Sequence, residues 1–280
     1  MGGVKLRNLW SHLCLKGYEL MKMKVESSND FEEKKRELLE ELVLMANSSF
    51  NHNRDRILEM LEEVKKALLS SGYEVKVVKA KLKSRGIFGA SSSFGVIPFE
   101  VGLIFDPLLN VPFIPGSSIK GAVRAAYYDL CKDKGLNEEK CKQICERIFG
   151  GEKSGISLVG FTDAYPVKAG KKGYILYPDV MTPHYKDVKS ELDLKLTPII
   201  HLTVAPSTMF QFYIFYKKKR GNRHFKIESD IDFFNISNIR AETLGFLDLA
   251  VLYALGLGIG AKTRIGYSSF DIVKYEVVKG

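Results

Sequence analysis

The feature that most restricts how this chain can fold is the stretch ALGLGIGAKTRIGYSSF, residues 254–270. A mostly apolar helical segment, NIRAETLGFLDLAVLYALG, runs into it, and a strand-like segment, RIGYSSFDIVKYEVV, runs out. Gly256, Gly258, Gly260 and Gly266 lie between them, with Lys262, Thr263 and Arg264 interspersed. Phosphate-binding loops of the Walker and dinucleotide kinds pass from strand to glycines to helix, so that the helix amides face the phosphate. Here the order is reversed, and Ala261 stands where the Walker pattern needs glycine before Lys-Thr. Although a relaxed dinucleotide pattern fits Gly256, Gly258 and Ala261, this context argues against nucleotide binding of either kind. Two other readings remain. One is a helix cap at Gly256 followed by a tight turn. The other is an anion-binding nest, in which Gly258 and Gly260 let backbone amides approach a phosphate that Lys262, Thr263 and Arg264 also hold.

A second stretch, IPGSSIKGAVR, has related chemistry. It opens with Gly116, and Ser117 or Ser118 is expected to cap a helix. Ser117, Lys120 and Arg124 are spaced to share one face of that helix, so hydroxyl, cations and helix N-terminus converge on an anion. An ordinary capped amphipathic helix is the competing interpretation.

The periodicity orders the rest. Residues 30–71 have helical spacing, with Ile57, Leu61, Val64 and Leu68 on one stripe, and NSSFNHN (47–53) is expected to break them into two helices. From Tyr73, YEVKVVKAKLKSR alternates apolar residues with lysines, as a half-exposed strand does. GIFGASSSFG (86–95) is a loop, and NEEKCKQICERIFG is a helix. SGISLVGFTDAYPV is a strand, and GYILYPDVMTPHY is extended. PIIHLTVAP and TMFQFYIFY are strands whose short turn at Pro206–Ser207 predicts a hairpin. The strongest elements give the order β, α, β, β, α, β. That is the order of an α+β, ferredoxin-like fold, shared by RRM modules. Residues 86–115 and 133–195 are then insertions. The expected division is a helical segment, 1–72, and a body, 73–280.

Charge separates along the same boundary. Residues 26–63 hold eleven acidic and five basic residues, net −6 in a chain of net +9, so the remainder carries +15. A basic body suits a polyanionic partner, although a solvated Lys/Glu surface has the same composition. The apolar run LAVLYALGLGIGA is too short to span a membrane, and MGGVKLRNLW has no secretory apolar core. The expectation is a cytoplasmic protein with no membrane partner. Cys14, Cys131, Cys141 and Cys145 form no CxxC pair and have no histidine nearby, so buried or inert thiols are expected, with a disulfide within 131–145 left open. No motif calls for a cofactor or a metal.

Five motifs in order, FIPGSSIKGAVR, GFTDAYPV, DVMTPHY, HLTVAPSTMFQF and GIGAKTRIGYSSF, make the chain resemble the RAMP superfamily, the repeat-associated RNA-binding proteins of CRISPR systems. Together they are similar to the sixth-subunit family of the Cmr complex, the type III-B effector. The resemblance covers roughly 73–280 and implies a ferredoxin-like RAMP fold and a place in a ribonucleoprotein of antiviral defence. It implies CRISPR RNA as a partner, held by its phosphate backbone near the 3′ end. It also implies protein partners: other Cmr subunits, especially the repeated backbone subunit and the first subunit. The backbone subunit that cuts target RNA carries an aspartate in the loop after its first strand. The corresponding loop here, 86–95, contains no Asp, Glu or His, which departs from the cutting pattern and favours binding without catalysis.

The rival class is a metal-independent RAMP endoribonuclease that processes precursor RNA, and a third is a stand-alone RNA-binding protein. For the nuclease, His184 beside Tyr185 is the residue of interest, but proton transfer needs a positioned partner and none is identifiable. Both residues therefore stand as RNA-contacting or structural. His201 reads as a core residue and Asp163 as a turn carboxylate. Arg85, at the end of the first strand, is a further phosphate contact. The run Lys217, Lys218, Lys219, Arg220, Arg223, Lys226 is a basic loop that touches phosphates or is simply solvated. Phe88, Phe94 and Tyr267 are available to stack on bases or to fill a core.

Overall fold

In the computed structural model, residues 8–23, 28–151, 155–181, 198–217 and 245–278 are described. His184, Tyr185, the basic run after Lys217 and residues 238–244 of the expected helix lie outside them. The fold is α+β, built on an antiparallel sheet.

Strand β1 (Tyr73–Leu82) forms where the Val-Lys alternation predicts, but it is not half-exposed. It lies between β8 (Met209–Lys217) and β9 (Phe270–Val278), antiparallel to both, and is covered on both faces. Val78, Ala80 and Leu82 enter one core; Val75 and Val77 enter another. Lys76 belongs to the first face and is 4% exposed. Its ammonium is paired with Asp248, a buried carboxylate that also accepts bonds from Tyr275 and from the amide of Gly245. A lysine that reads as solvent-facing is thus the cation of a buried ion pair, which a pattern of alternating residues does not reveal.

The sheet order is β4-β8-β1-β9, with β4 at Val159–Phe161; β5 (Tyr165–Lys168) also pairs β8. The expected single strand SGISLVGFTDAYPV is broken at 162–164, where Asp163, still exposed, accepts a bond from the Gly116 amide. Two short ladders stand apart: β2 (Phe105–Asp106) with β3 (Val111–Pro112), and β6 (Leu176–Met181) with β7 (Ile199–Val204). The expected hairpin is corrected here. Both of its strands exist and the turn holds Ser207 at φ 66°, but β7 pairs β6 and β8 pairs β1. The end of β7 is occupied by Gly86, whose amide and carbonyl both bond Val204 at 3.0 and 2.8 Å. That bridge diverts β7 from its neighbour in sequence.

On the first face lie α4 (Gly116–Asp133), α5 (Glu138–Phe149) and α6 (Phe246–Leu257), packed over Val78, Ala80, Leu82, Phe210, Phe212 and Ile214. Cys131, Cys141 and Cys145 are free, buried thiols in this layer. Burial pushes Cys131 up to about 12 and Cys145 up to about 11, which keeps both protonated and inert. Cys14 is exposed. Helix α6 ends on Gly258 rather than the expected Gly256, which lies exposed in its last turn.

On the second face lie α1 (Leu9–Met23) and α2 (Ser28–Ser70), packed over Val75, Val77 and Tyr213; a short kinked helix, α3 (Ser93–Phe99), fills in beside them. The N-terminal helices thus pack on the body. The expected break at 47–53 does not occur: α2 runs unbroken for 43 residues. Its polar residues bond to loops instead of capping a turn. Asn47 Oδ1 accepts from the amide of Ile175 at 2.7 Å. Asn53 donates to Leu109 O at 3.0 Å, and Arg54 Nε donates to Val167 O at 3.0 Å. Phe50, between them, is buried and contributes about 2 kcal/mol of apolar transfer. Tertiary bonds outweigh the weak helix propensity of Asn and Ser. No helix among the described residues is long and apolar enough to cross a membrane.

Candidate nucleic-acid interface

The glycine-rich stretch works first as a crossing of backbones. Gly260 has φ 135°, and a Cβ there would meet Ile87 O at 2.5 Å. Gly258 has φ 108°, and a Cβ there would meet Thr263 Cγ2 at 2.9 Å. The space they leave lets the stretch zip onto the segment after β1. Ala261 N donates to Ile87 O at 2.8 Å, Ser268 N to Arg85 O at 2.9 Å, and Ile87 N to Ser268 Oγ at 3.0 Å. The amides of Ile259 and Ala261 are therefore bonded within the protein, to Ser268 O and Ile87 O, and are not part of a nest. Lys262 takes the left-handed conformation at φ 58° and opens a single 3₁₀ turn, Thr263–Ile265. Its ammonium reaches Met181 Sδ, at the end of β6, at 2.6 Å. Arg264 is exposed on that turn.

The crossing forms one wall of a groove of about 380 Å³. Lys83, Ser84 and Arg85 line it from the end of β1, and Ile265, Gly266 and Tyr267 from the glycine stretch. Lys171, Tyr177 and Pro206 close the other side. Three cations and two tyrosines at one opening suit a single-stranded polyanion with exposed bases. Arg85 lies over the Tyr177 ring, 5.3 Å from its centroid, and its Nη1 is 2.7 Å from Asp179. Tyr267 donates to the other oxygen of Asp179 at 2.7 Å. Burial, followed by that carboxylate, pushes the Tyr267 phenol up. Opposite Asp179 in the β6–β7 ladder stands His201, fully buried. Burial lowers its affinity for a proton, so it is a neutral core residue, as expected from its place in an apolar strand.

Helix α4 carries the second motif. The Lys76–Asp248 pair sets the start of α6 beside the start of β1, and Gly260 lies against Ile87 beyond the end of β1, so α6 runs with β1. Tyr127, in the second half of α4, packs on Phe246 at the start of α6, so α4 runs the opposite way. The expected caps are corrected. The residue before the helix is Pro115, and neither serine caps it. Asp163 accepts from the Gly116 amide at 2.7 Å from the break between β4 and β5, so the carboxylate is structural. Gly116 is required by packing: a Cβ would meet Phe161 O at 2.3 Å. Ser117, Ser118 and Arg124 are exposed and Lys120 is half-buried. Burial, and then the neighbouring Arg124, lowers the Lys120 ammonium below its ordinary value, as expected of two cations on one face.

The structure thus gathers Arg85, Gly258, Gly260, Lys262, Thr263 and Arg264 around one loop crossing, and Gly116, Ser117, Ser118, Lys120 and Arg124 on one helix. It withdraws Phe88 and Phe94 from base stacking. Phe88 is buried against Phe210 and Phe270, and Phe94 against Phe105 and Trp10. Lys217 donates to Ser71 O and lies over Tyr73. Sequence reasoning missed Lys83, Ser84, Lys171, Tyr177 and Asp179. Asp179 opens the motif DVMTPHY, and that was the one available signal. Among the described residues no cluster of His, Cys, Asp and Glu could hold a metal ion.

Residues 71–271, from just before β1 into β9, match the family model of the RAMP superfamily, and the chain belongs to that superfamily. It is 31% identical over 263 residues to the CRISPR system CMR subunit Cmr6 of Saccharolobus solfataricus (strain P2), covering 94% of this chain and 81% of that protein. It is also similar to a chain in the cryo-EM structure of the type III-B Cmr-beta bound to cognate target RNA. That match has a TM-score of 0.68 and 33% identity, covering 91% of this chain and 78% of the other.

Proposed function

We propose that this chain is a non-catalytic CRISPR RNA-binding subunit of a type III-B Cmr ribonucleoprotein. It acts in the cytoplasm and caps the complex backbone near the 3′ end of the guide, beside the repeated backbone subunit and the first subunit. The observation that carries the reading is the basic, tyrosine-lined groove beyond the end of β1. The similarity to a Cmr subunit over 94% of the chain supports other Cmr subunits as partners. The sheet order β4-β8-β1-β9, antiparallel throughout, with α4 and α6 on one face, supports a ferredoxin-like core. Contacts of this kind hold phosphate and sugar and carry no sequence preference, which a subunit serving any guide requires. Two features support binding without cleavage. Loop 86–95 buries Gly86, Ile87, Phe88 and Phe94, and the Asp179 carboxylate beside the groove is engaged by Arg85 and Tyr267.

The test is binding and cleavage of a 5′-tagged CRISPR RNA over a salt series, by the full chain alone and with its co-expressed neighbours. Salt-dependent binding without cleavage is expected. Lys120→Glu and Lys262→Glu should each weaken it and flatten the log–log salt slope by about 0.7 for each phosphate no longer neutralised. Cleavage that persists in chelator and disappears in His184→Ala would overturn the reading in favour of a processing nuclease.

A further inference from the structure

Asp179 is acidic at the rim of a groove read as a polyanion site, and by charge alone it opposes binding. Its surroundings suggest a different role. The side chain is nearly buried, at 7% residue exposure, and one oxygen accepts from Arg85 Nη1 at 2.7 Å and from the Val180 amide at 2.9 Å. The other accepts from Tyr267 Oη at 2.7 Å. Arg85 and Tyr267 come from opposite sides of the loop crossing and both line the groove. The Arg85 side chain remains 38% exposed. A guanidinium has five N–H donors, so one edge can be fixed on a carboxylate while the rest face the opening.

We propose that Asp179 is a positioning residue for RNA: steadied by the Tyr267 hydroxyl, it holds the Arg85 guanidinium at the groove wall in the orientation that a phosphate requires. The inference rests on the RNA-binding reading. Arg85, on a flexible stem, would otherwise sample many rotamers and lose that freedom on binding. Asp271 provides the contrast. It is exposed, 3.4 Å from Lys83, and holds nothing buried. Its charge should oppose RNA without any compensating order.

The two roles predict opposite signs. In fluorescence anisotropy with a labelled single-stranded RNA and the full-length chain, Asp271→Asn should tighten binding. Asp179→Asn also removes a negative charge, yet it should weaken binding roughly tenfold through loss of a charge-assisted anchor. The effect must pass through Arg85. In an Arg85→Ala background, Asp179→Asn should change affinity little, whereas a merely structural carboxylate would weaken binding in both backgrounds. Tightening by Asp179→Asn, or equal loss in both backgrounds, overturns the proposal. Should Asp179→Asn melt early, Tyr267→Phe, which removes one donor from the carboxylate, carries the same test: a several-fold loss in the wild-type background and little in Arg85→Ala supports it, and the reverse overturns it. Lys171→Glu separates the two failures. If it leaves RNA binding unchanged, the groove reading itself falls; if it weakens binding while Asp179→Asn does not, only the role of Asp179 falls.

Discussion

At the scale of single residues, His201 shows how burial becomes pH dependence. Its folded pKa is lowered, chiefly by burial, so below the unfolded value near 6.5 the unfolded chain takes up a proton that the folded one refuses. The stabilisation is complete above that pH and is lost as the pH falls. The urea midpoint should therefore drop on acidification below about 6.5, and His201→Gln should flatten that part of the profile. An unchanged profile in the variant would assign the loss to other groups. His201 was legible as a core residue because its strand is apolar on both sides. Arg85, Lys262, Lys120 and Arg124 were legible because cations beside glycines or at helical spacing carry their chemistry in local sequence. Lys83, Lys171 and Tyr177 were not, because they meet only when three distant segments fold together. Asp179 was hidden for a related reason: a carboxylate in a strand has no local mark of the arginine and the tyrosine it will hold.

At the scale of elements, α2 is where local signals misled most. Asn, Ser and His in succession argue for a turn when only propensity is weighed. In the fold those side chains are the helix's attachments to the loops that precede β6, follow β2 and end β5. Asn47→Ala separates the two views. Alanine is the better helix former, so a residue that merely weakens the helix would be improved by it. The structure instead predicts destabilisation of roughly 1–2 kcal/mol, because the amide of Ile175 loses its acceptor. Chemical denaturation with helix content followed by circular dichroism measures both quantities; a stabilised variant would contradict the attachment role. The β7–β8 pair teaches a similar lesson: strand identity and turn position were readable, but pairing depends on which edge is free, and Gly86 had taken it. The glycine stretch was readable as a special backbone, yet its positive φ angles serve the approach to Ile87.

At the scale of the whole molecule, the sheet is covered on both faces, so an RRM-style reading of RNA on a bare sheet surface is closed to it. The α1–α2 layer supplies much of the second core, including Leu9, Leu42, Phe50 and Ile57. A chain shortened to 73–280 should therefore expose Val75, Val77 and Tyr213, bind ANS and melt without a cooperative transition. A sharp thermal transition for that fragment would show that the body stands alone. The change of periodicity at 72 was legible, whereas the packing of one part on the other was not. The loop crossing has a consequence for how the molecule is made. Ser84 bonds to Gly266, 182 residues later in the chain, and Arg85 to Ser268 beyond it. During synthesis the basic strand end emerges early and waits, with no opposite wall, until nearly the whole of the described chain has left the ribosome. On the RNA-binding reading proposed above, a nascent or prematurely terminated chain would thus own the charges but not the site, and would not compete for RNA with its finished copies.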